Sequence, residues 1–110
     1  MSLLQLEAYA ITLVVEGIVA YLVAPLFKVS ARRAALSAVV GSAISHPIFW
    51  PSAYALYDRL GTYTIPILET FVVLFESIVY RILATGRWPI ALALSVIANF
   101  SSWLVGRLLV

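Results

Sequence analysis

The sequence predicts an all-α membrane protein of four transmembrane helices, because it is unusually apolar, contains four long apolar stretches and separates them with basic or turn-forming residues. Apolar residues make up 64% of the 110 residues and charged residues 11%, against about 45–50% and about 25% in soluble domains. A soluble domain of this length buries too little of its surface to hide so much apolar area. We therefore expect a single four-helix domain, residues 1–110, with the lipid bilayer as its surroundings.

Each apolar stretch approaches the roughly 20 helical residues needed to cross a bilayer core of about 30 Å. The four predicted spans are residues 8–27, 34–50, 64–83 and 88–108. All five prolines lie within a few residues of a predicted span boundary, where a missing backbone N–H costs least. No basic residue precedes the first span and no small-residue cleavage site follows a short apolar core. We therefore expect this span to be retained rather than removed as a signal peptide.

The connecting segments predict the orientation. The first and third segments, 28–33 and 84–87, contain or adjoin five basic residues: Lys28, Arg32, Arg33, Arg81 and Arg87. The middle segment, 51–63, has one basic and one acidic residue, and aromatic side chains cluster around it as at a membrane interface. The positive-inside rule places the first and third segments in the cytoplasm. Both termini and residues 51–63, predicted to lie along the surface, are then extracytoplasmic.

The two halves of the sequence resemble each other. The matching segments are residues 16–23 with 76–83 and residues 38–45 with 95–102. Because both matches occur in the same order and at nearly the same spacing, we predict an internal duplication of a helical hairpin. The two tandem repeat units would span about residues 8–50 and 64–108. Because each unit holds two spans, both copies would have the same orientation in the membrane. They would be related by an axis along the membrane normal, as in parallel transporter repeats.

The duplication aligns polar residues near the middle of each span. These residues are Glu16, Glu76, Ser42 and Asn99. A charged residue at the bilayer centre costs at least ~2.5–3.5 kcal/mol on insertion scales, so such residues face the bundle interior. No basic residue lies at the depth of the two glutamates. We therefore predict a buried acidic and polar site, in which at least one glutamate is neutral at pH 7 or both share a proton or a cation.

A secondary site is predicted nearer the outer surface. Glu69 lies seven residues before Glu76, and His46 lies four residues after Ser42, so each shares a helix face with the central site. Whether these side chains bind a metal is left open, because zinc needs three or four ligands and only Glu7 lies at a similar depth. For His46, which precedes a proline, capping of a helix end is the alternative role. Small and hydroxyl residues on the second and fourth spans predict close helix packing. They are Gly41, Ser42, Ser45, Ser95, Asn99, Ser102 and Gly106.

These features favour two classes of function. The first is proton- or cation-linked binding or translocation at the carboxyl pair, in an oligomer because four short helices enclose little space. The alternative is a structural or accessory subunit of a larger membrane complex, with neutral carboxyls bridging the helices. An enzyme is disfavoured, because Ser42, Ser45 and His46 share one helix and make a poor hydrolytic triad. The net charge of +2 lacks a basic cluster, which argues against a nucleic-acid partner. No residue pattern indicates a cofactor, and contact with a pigment is left open.

Overall fold

A computed structural model describes residues 3–109, and this range is helical apart from short turns. The elements are α1 (Leu3–Val23), a 3-10 turn (Ala24–Phe27), α2 (Ala31–Leu60), a second 3-10 turn (Gly61–Tyr63), α3 (Thr64–Leu83) and α4 (Trp88–Leu109). The extreme residues of the predicted domain, Met1, Ser2 and Val110, lie outside the described range. The helices form an antiparallel bundle in which α1 and α3 each pack against both α2 and α4. The α1 and α3 helices are therefore diagonal neighbours across the bundle centre.

The predicted boundaries of the third and fourth spans agree with the structure, whereas those of the first and second spans differ. The α3 helix begins and ends at the predicted residues, and α4 ends one residue beyond the prediction. The α1 helix begins five residues before the predicted start of the first span, and the last four residues of that span, Ala24–Phe27, form a 3-10 turn. Lys28 ends this turn in the left-handed conformation, with φ of 61°. The Ser30 side chain then caps α2 by accepting a hydrogen bond from the Arg33 amide.

The prediction for the middle segment is wrong. Residues 51–60 continue α2 instead of forming a surface loop, and only the 3-10 turn connects α2 to α3. Pro47 and Pro51 therefore lie inside a helix of 30 residues rather than at its end. The predicted end of the second span, at residue 50, is wrong for the same reason.

A side chain from α1 helps the helix to continue through Pro47. A proline inside a helix removes the backbone hydrogen bond to the carbonyl four residues earlier, which here belongs to Ala43. The Tyr9 hydroxyl donates a hydrogen bond to that carbonyl, with 3.1 Å between the oxygens. A hydroxyl on another helix thus satisfies an acceptor that the proline leaves free. The local sequence around Pro47 contains no sign of this donor.

The bundle is polar inside and apolar outside. Its buried polar side chains are Glu16, Ser37, Ser42, Ser45, Thr64, Glu76, Ser77, Ser95 and Asn99. Most buried apolar residues are alanines, with Val29, Tyr80 and Leu94 as the larger exceptions. Large apolar side chains cover the outer faces of all four helices, and some are more than half exposed, including Leu22 and Phe71. Large exposed apolar patches are rare on soluble monomers and mark protein–protein or membrane contact sites.

Two helices in the described range are long and apolar enough to cross a membrane. They are Leu4–Phe27 and Trp88–Leu109. Polar and proline residues interrupt α2, and α3 contains three charged residues, Glu69, Glu76 and Arg81. By length and composition, the structure therefore supports two of the four predicted spans.

Candidate functional site at the paired glutamates

The structure brings Glu16 of α1 and Glu76 of α3 together at the centre of the bundle. Each is only 1% exposed, and their carboxyl groups are within hydrogen-bonding reach of each other. A hydrogen bond between two carboxyl groups requires a proton on one of them. The predicted pair of central glutamates is therefore one shared group in space, although the two residues are 60 positions apart in sequence.

Both oxygens of the Glu16 carboxyl accept hydrogen bonds from serine side chains. Ser42 of α2 donates to Oε1, and Ser102 of α4 donates to Oε2, with 2.6 Å between the oxygens in each case. Short bonds of this kind are typical of a hydroxyl donating to a carboxylate. Glu16 therefore joins three helices through two side-chain bonds.

Glu76 is held in the same manner by the same two helices. Ser45 of α2 donates to Oε2 at 2.9 Å, and the Asn99 amide of α4 donates to Oε1 at 3.2 Å. Asn99 Nδ2 also donates to the Ser95 carbonyl at 2.8 Å, which orients the amide. All four of these polar partners of the two carboxyls are uncharged.

The hydrogen bonds pair the halves of the chain crosswise. In the predicted alignment, Ser42 corresponds to Asn99 and Ser45 corresponds to Ser102. Glu16 accepts hydrogen bonds from Ser42 of the first pair and Ser102 of the second pair. Glu76 accepts hydrogen bonds from the other two residues, Asn99 and Ser45. Sequence reasoning identified Ser42 and Asn99 but assigned Ser45 and Ser102 only to helix packing. The alignment of residues 38–45 with 95–102 already paired these two serines, and this pairing was the signal that both belong to the site.

Close approach of α2 to α3 positions the Glu76 side chain. A Cβ atom placed on Gly41 would lie 3.0 Å from Glu76 Cγ, closer than most packed carbon contacts, so the Glu76 side chain would have to shift. Glycine at position 41 therefore leaves the space through which the Glu76 side chain reaches the bundle centre. The predicted packing role of Gly41 thus has a specific partner, and that partner belongs to the site.

Sequence reasoning missed Tyr80. It lies one helical turn beyond Glu76 on α3, is fully buried, and has a hydroxyl without a hydrogen-bond partner among the described residues. The available signal was its position four residues after Glu76, on the same helix face.

The two residues of the predicted outer site lie in different surroundings. His46 Nε2 accepts a hydrogen bond from Trp50 Nε1 at 3.1 Å, and the imidazole packs on the Tyr9 ring, with 5.2 Å between centroids. Since α2 continues to residue 60, His46 does not cap a helix end. Glu69 instead lines a surface groove with Thr70, Val73, Leu74 and Leu92. Across residues 3–109, no three or more His, Cys, Asp or Glu side chains are grouped to hold a metal ion.

Comparisons with known proteins add no assignment. No protein-family model matches the chain, and searches of curated proteins and of solved structures find no significant match.

Proposed function

We propose that the chain is a four-helix membrane bundle in which Glu16 and Glu76 bind and release a shared proton during proton-linked binding or translocation. The observation that carries this proposal is the contact between two buried carboxyl groups whose other hydrogen-bond partners are uncharged. Two carboxylates at this separation repel each other strongly away from water. A proton held between them removes the repulsion, so a change in their separation changes how tightly the proton is bound.

The distribution of polarity supports the membrane setting for all four helices. The buried polar side chains are mainly serine, asparagine and glutamate, whereas most exposed large side chains are apolar, on α2 and α3 as well as on the two most apolar helices. The long dimension of the bundle, 42 Å, exceeds the hydrocarbon core of about 30 Å. Lipid around the bundle would cover an apolar surface that water would leave unfavourably exposed.

Charge at the two ends supports the predicted orientation. The end formed by the first and third connections has five basic residues and no acidic ones: Lys28, Arg32, Arg33, Arg81 and Arg87. The opposite end has two basic and two acidic residues: Arg59, Arg107, Glu7 and Asp58. We therefore propose that the first end, called the basic end below, faces the cytoplasm.

A proton fits the pair better than a larger cation in this arrangement. The carboxyl groups are already within hydrogen-bonding reach, and serine or amide donors occupy their remaining directions. A sodium-sized ion would have to separate the carboxyls and reorient those donors. Protonation requires neither change.

The crosswise hydrogen bonds also support the proposed duplication of a helical hairpin. A two-fold axis along the bundle would exchange Glu16 with Glu76 and would also exchange the hydrogen-bond partners of one glutamate with the equivalent partners of the other. An oligomer fits the small size of the bundle, because buried side chains of the four helices occupy its centre. Gly106 on α4 has open space around it within the bundle and could admit close approach of a second copy.

A structural or accessory subunit is the second candidate, and a specific observation favours it. Every carboxyl oxygen of the pair accepts a hydrogen bond, and both glutamates are almost fully buried. Such a network joins helices firmly even if the proton never exchanges. The two candidate functions predict different results when a glutamate is replaced by glutamine. Proton movement should be lost if the pair carries a proton, whereas a structural subunit has no such activity to lose.

Proton movement in proteoliposomes separates the candidates. The wild-type chain, Glu16→Gln and Glu76→Gln are reconstituted with an internal pH dye, and proton uptake is followed after a membrane potential is imposed. We expect uptake by the wild type and a loss of uptake in each variant, because glutamine preserves size and hydrogen bonding but cannot carry the proton. Glu7→Gln is the control, since Glu7 lies on α1 but is exposed. Equal behaviour of the wild type, both variants and empty vesicles would instead support the structural subunit.

A further inference from the structure

Tyr80 is a buried polar side chain that the carboxyl pair does not use directly. Its side chain is 0% exposed, and its hydroxyl lacks a hydrogen-bond partner in the described part of the chain. Tyr80 lies one helical turn after Glu76, on the same face of α3. A buried hydroxyl without a partner is destabilising, so packing alone would favour phenylalanine at this position.

The surroundings place Tyr80 between the carboxyl pair and the basic end. It belongs to a buried cluster made mostly of alanines, contributed by α1, α2, α4, the first 3-10 turn and the connection that follows this turn: Ala20, Ala24, Ala34, Ala38 and Ala91, with Val29 and Leu94. Along each helix these residues lie on the basic-end side of the site residues. Small side chains on the neighbouring elements leave room at the centre for one large ring. The Tyr80 hydroxyl is therefore a polar group without a hydrogen-bond partner among the described residues, in a layer built mostly from apolar side chains.

We infer that Tyr80 is a proton-relay residue that connects the Glu16–Glu76 pair with water at the basic end of the bundle. In this step a side-chain rotation first brings a protonated carboxyl of the pair into hydrogen-bonding contact with the Tyr80 hydroxyl, and the carboxyl then transfers its proton to the Tyr80 oxygen. The original Tyr80 hydroxyl proton passes to a water molecule on the basic-end side. One carboxyl O–H bond breaks, one new O–H bond forms on the tyrosine and one on the water. The products are a carboxylate, an intact tyrosine and a hydronium ion.

The relay residue is present in only one half of the chain, so it would connect the carboxyl pair to only one end of the bundle. Tyr80 corresponds to Ala20 in the alignment of the two halves, so the first half has no equivalent hydroxyl. The hydrogen bonds of the carboxyls are matched between the halves, whereas this position is not. The inference rests on the proposed proton-linked function and adds the route by which the proton reaches the basic end.

Hydrogen–deuterium exchange of the carboxyl proton tests the relay without measuring transport. The protein in lipid vesicles is transferred to heavy water, and the shift of the protonated carboxyl band is followed by infrared spectroscopy. We expect Tyr80→Phe to slow this exchange by about a hundredfold, the lower end of what a positioned proton-transfer group contributes. Tyr21→Phe is the matched control, because Tyr21 lies at the same level of the bundle but is exposed. It should exchange at the wild-type rate.

A second substitution keeps the hydroxyl and the ring. Site-specific replacement of Tyr80 by a fluorinated tyrosine, whose hydroxyl is more acidic, should change the exchange rate while preserving the fold. Wild-type exchange rates in both Tyr80 proteins would overturn the relay. If those rates are unchanged while Glu16→Gln still abolishes proton uptake, the relay fails and the proposed function stands. If no exchangeable carboxyl band exists in the wild type, both fail.

Discussion

Glu16 and Glu76 meet across the diagonal of the bundle, and each is held by one side chain from α2 and one from α4. The helices that carry the glutamates are thus linked through the helices that lie between them. Because these bonds include both halves of the chain, no single hairpin contains a complete site. The acidic pair forms only when the four helices assemble.

The contact between the carboxyls predicts a protonated group above neutral pH. Infrared spectroscopy of the wild type should show a protonated carboxyl band that persists there, because a proton between the two groups relieves their repulsion. The Glu16→Gln/Glu76→Gln double variant should lose the band, and Glu7→Gln should retain it. Titration of both glutamates at about pH 4.3, as in model peptides, would mean that they do not share a buried proton.

Gly41 should tolerate no side chain, whereas Gly106 should. A methyl group at position 41 would press on Glu76 Cγ, so Gly41→Ala should destabilise the bundle by about 1–3 kcal/mol, as overpacking does. At Gly106 nothing lies within 4 Å of an added Cβ, and alanine should stabilise the helix by up to about 1 kcal/mol. Thermal unfolding in detergent measures both effects.

The result at position 106 also tests the proposed oligomer. Gly106→Leu should not lower the unfolding temperature of the monomer, because the bundle offers space there and leucine favours a helix more than glycine does, but it should reduce the oligomer size in lipid. If the oligomer size is unchanged, α4 does not pack against another copy at this position.

Wild-type stability of Gly41→Ala would show that the contact between α2 and α3 does not require glycine at position 41.

The helix positions and the glutamate pair could be predicted because they depend on simple patterns. Apolar runs of about 20 residues mark α1, α3 and α4 directly, and a carboxyl in such a run has few favourable places except the interior. The continuation of α2 past residue 50 could not be predicted in this way. Prolines at positions 47 and 51 indicate a helix end, and the hydroxyl that satisfies the free Ala43 carbonyl comes from α1.

The roles of individual partners were harder to predict than the site itself. Ser45 and Ser102 were interpreted as small packing residues. Helical periodicity predicts which face of a helix carries a side chain, but it does not predict which carboxyl group that side chain contacts. Tyr80 was not singled out because an aromatic side chain is common in an apolar span. Its importance depends on the alanines that surround it, and these come from α1, α2, α4 and the first 3-10 turn.

The charge difference between the two ends predicts the topology. The chain contains no cysteine, so single cysteines can be introduced and labelled in intact cells with a reagent that does not cross membranes. Tyr57→Cys, at the exposed outer end of α2, should be labelled from outside. Ser30→Cys and Gly86→Cys, in the connections at the basic end, should react only after the cells are opened. Labelling of position 30 or 86 in intact cells would reverse the orientation.

Tyr9 and Pro47 should be coupled in stability, because the tyrosine hydroxyl satisfies the Ala43 carbonyl that the proline leaves free. Tyr9→Phe should cost about 1 kcal/mol, the usual net value of such a hydrogen bond. In a Pro47→Ala background the backbone amide of residue 47 can bond that carbonyl, so the same Tyr9→Phe change should cost little. A double-mutant cycle measured by thermal unfolding isolates this difference, with Tyr57→Phe as the control for loss of an exposed hydroxyl. If the cost of Tyr9→Phe is equal in both backgrounds, the Tyr9 hydroxyl does not compensate for the proline, and another interaction must keep α2 continuous.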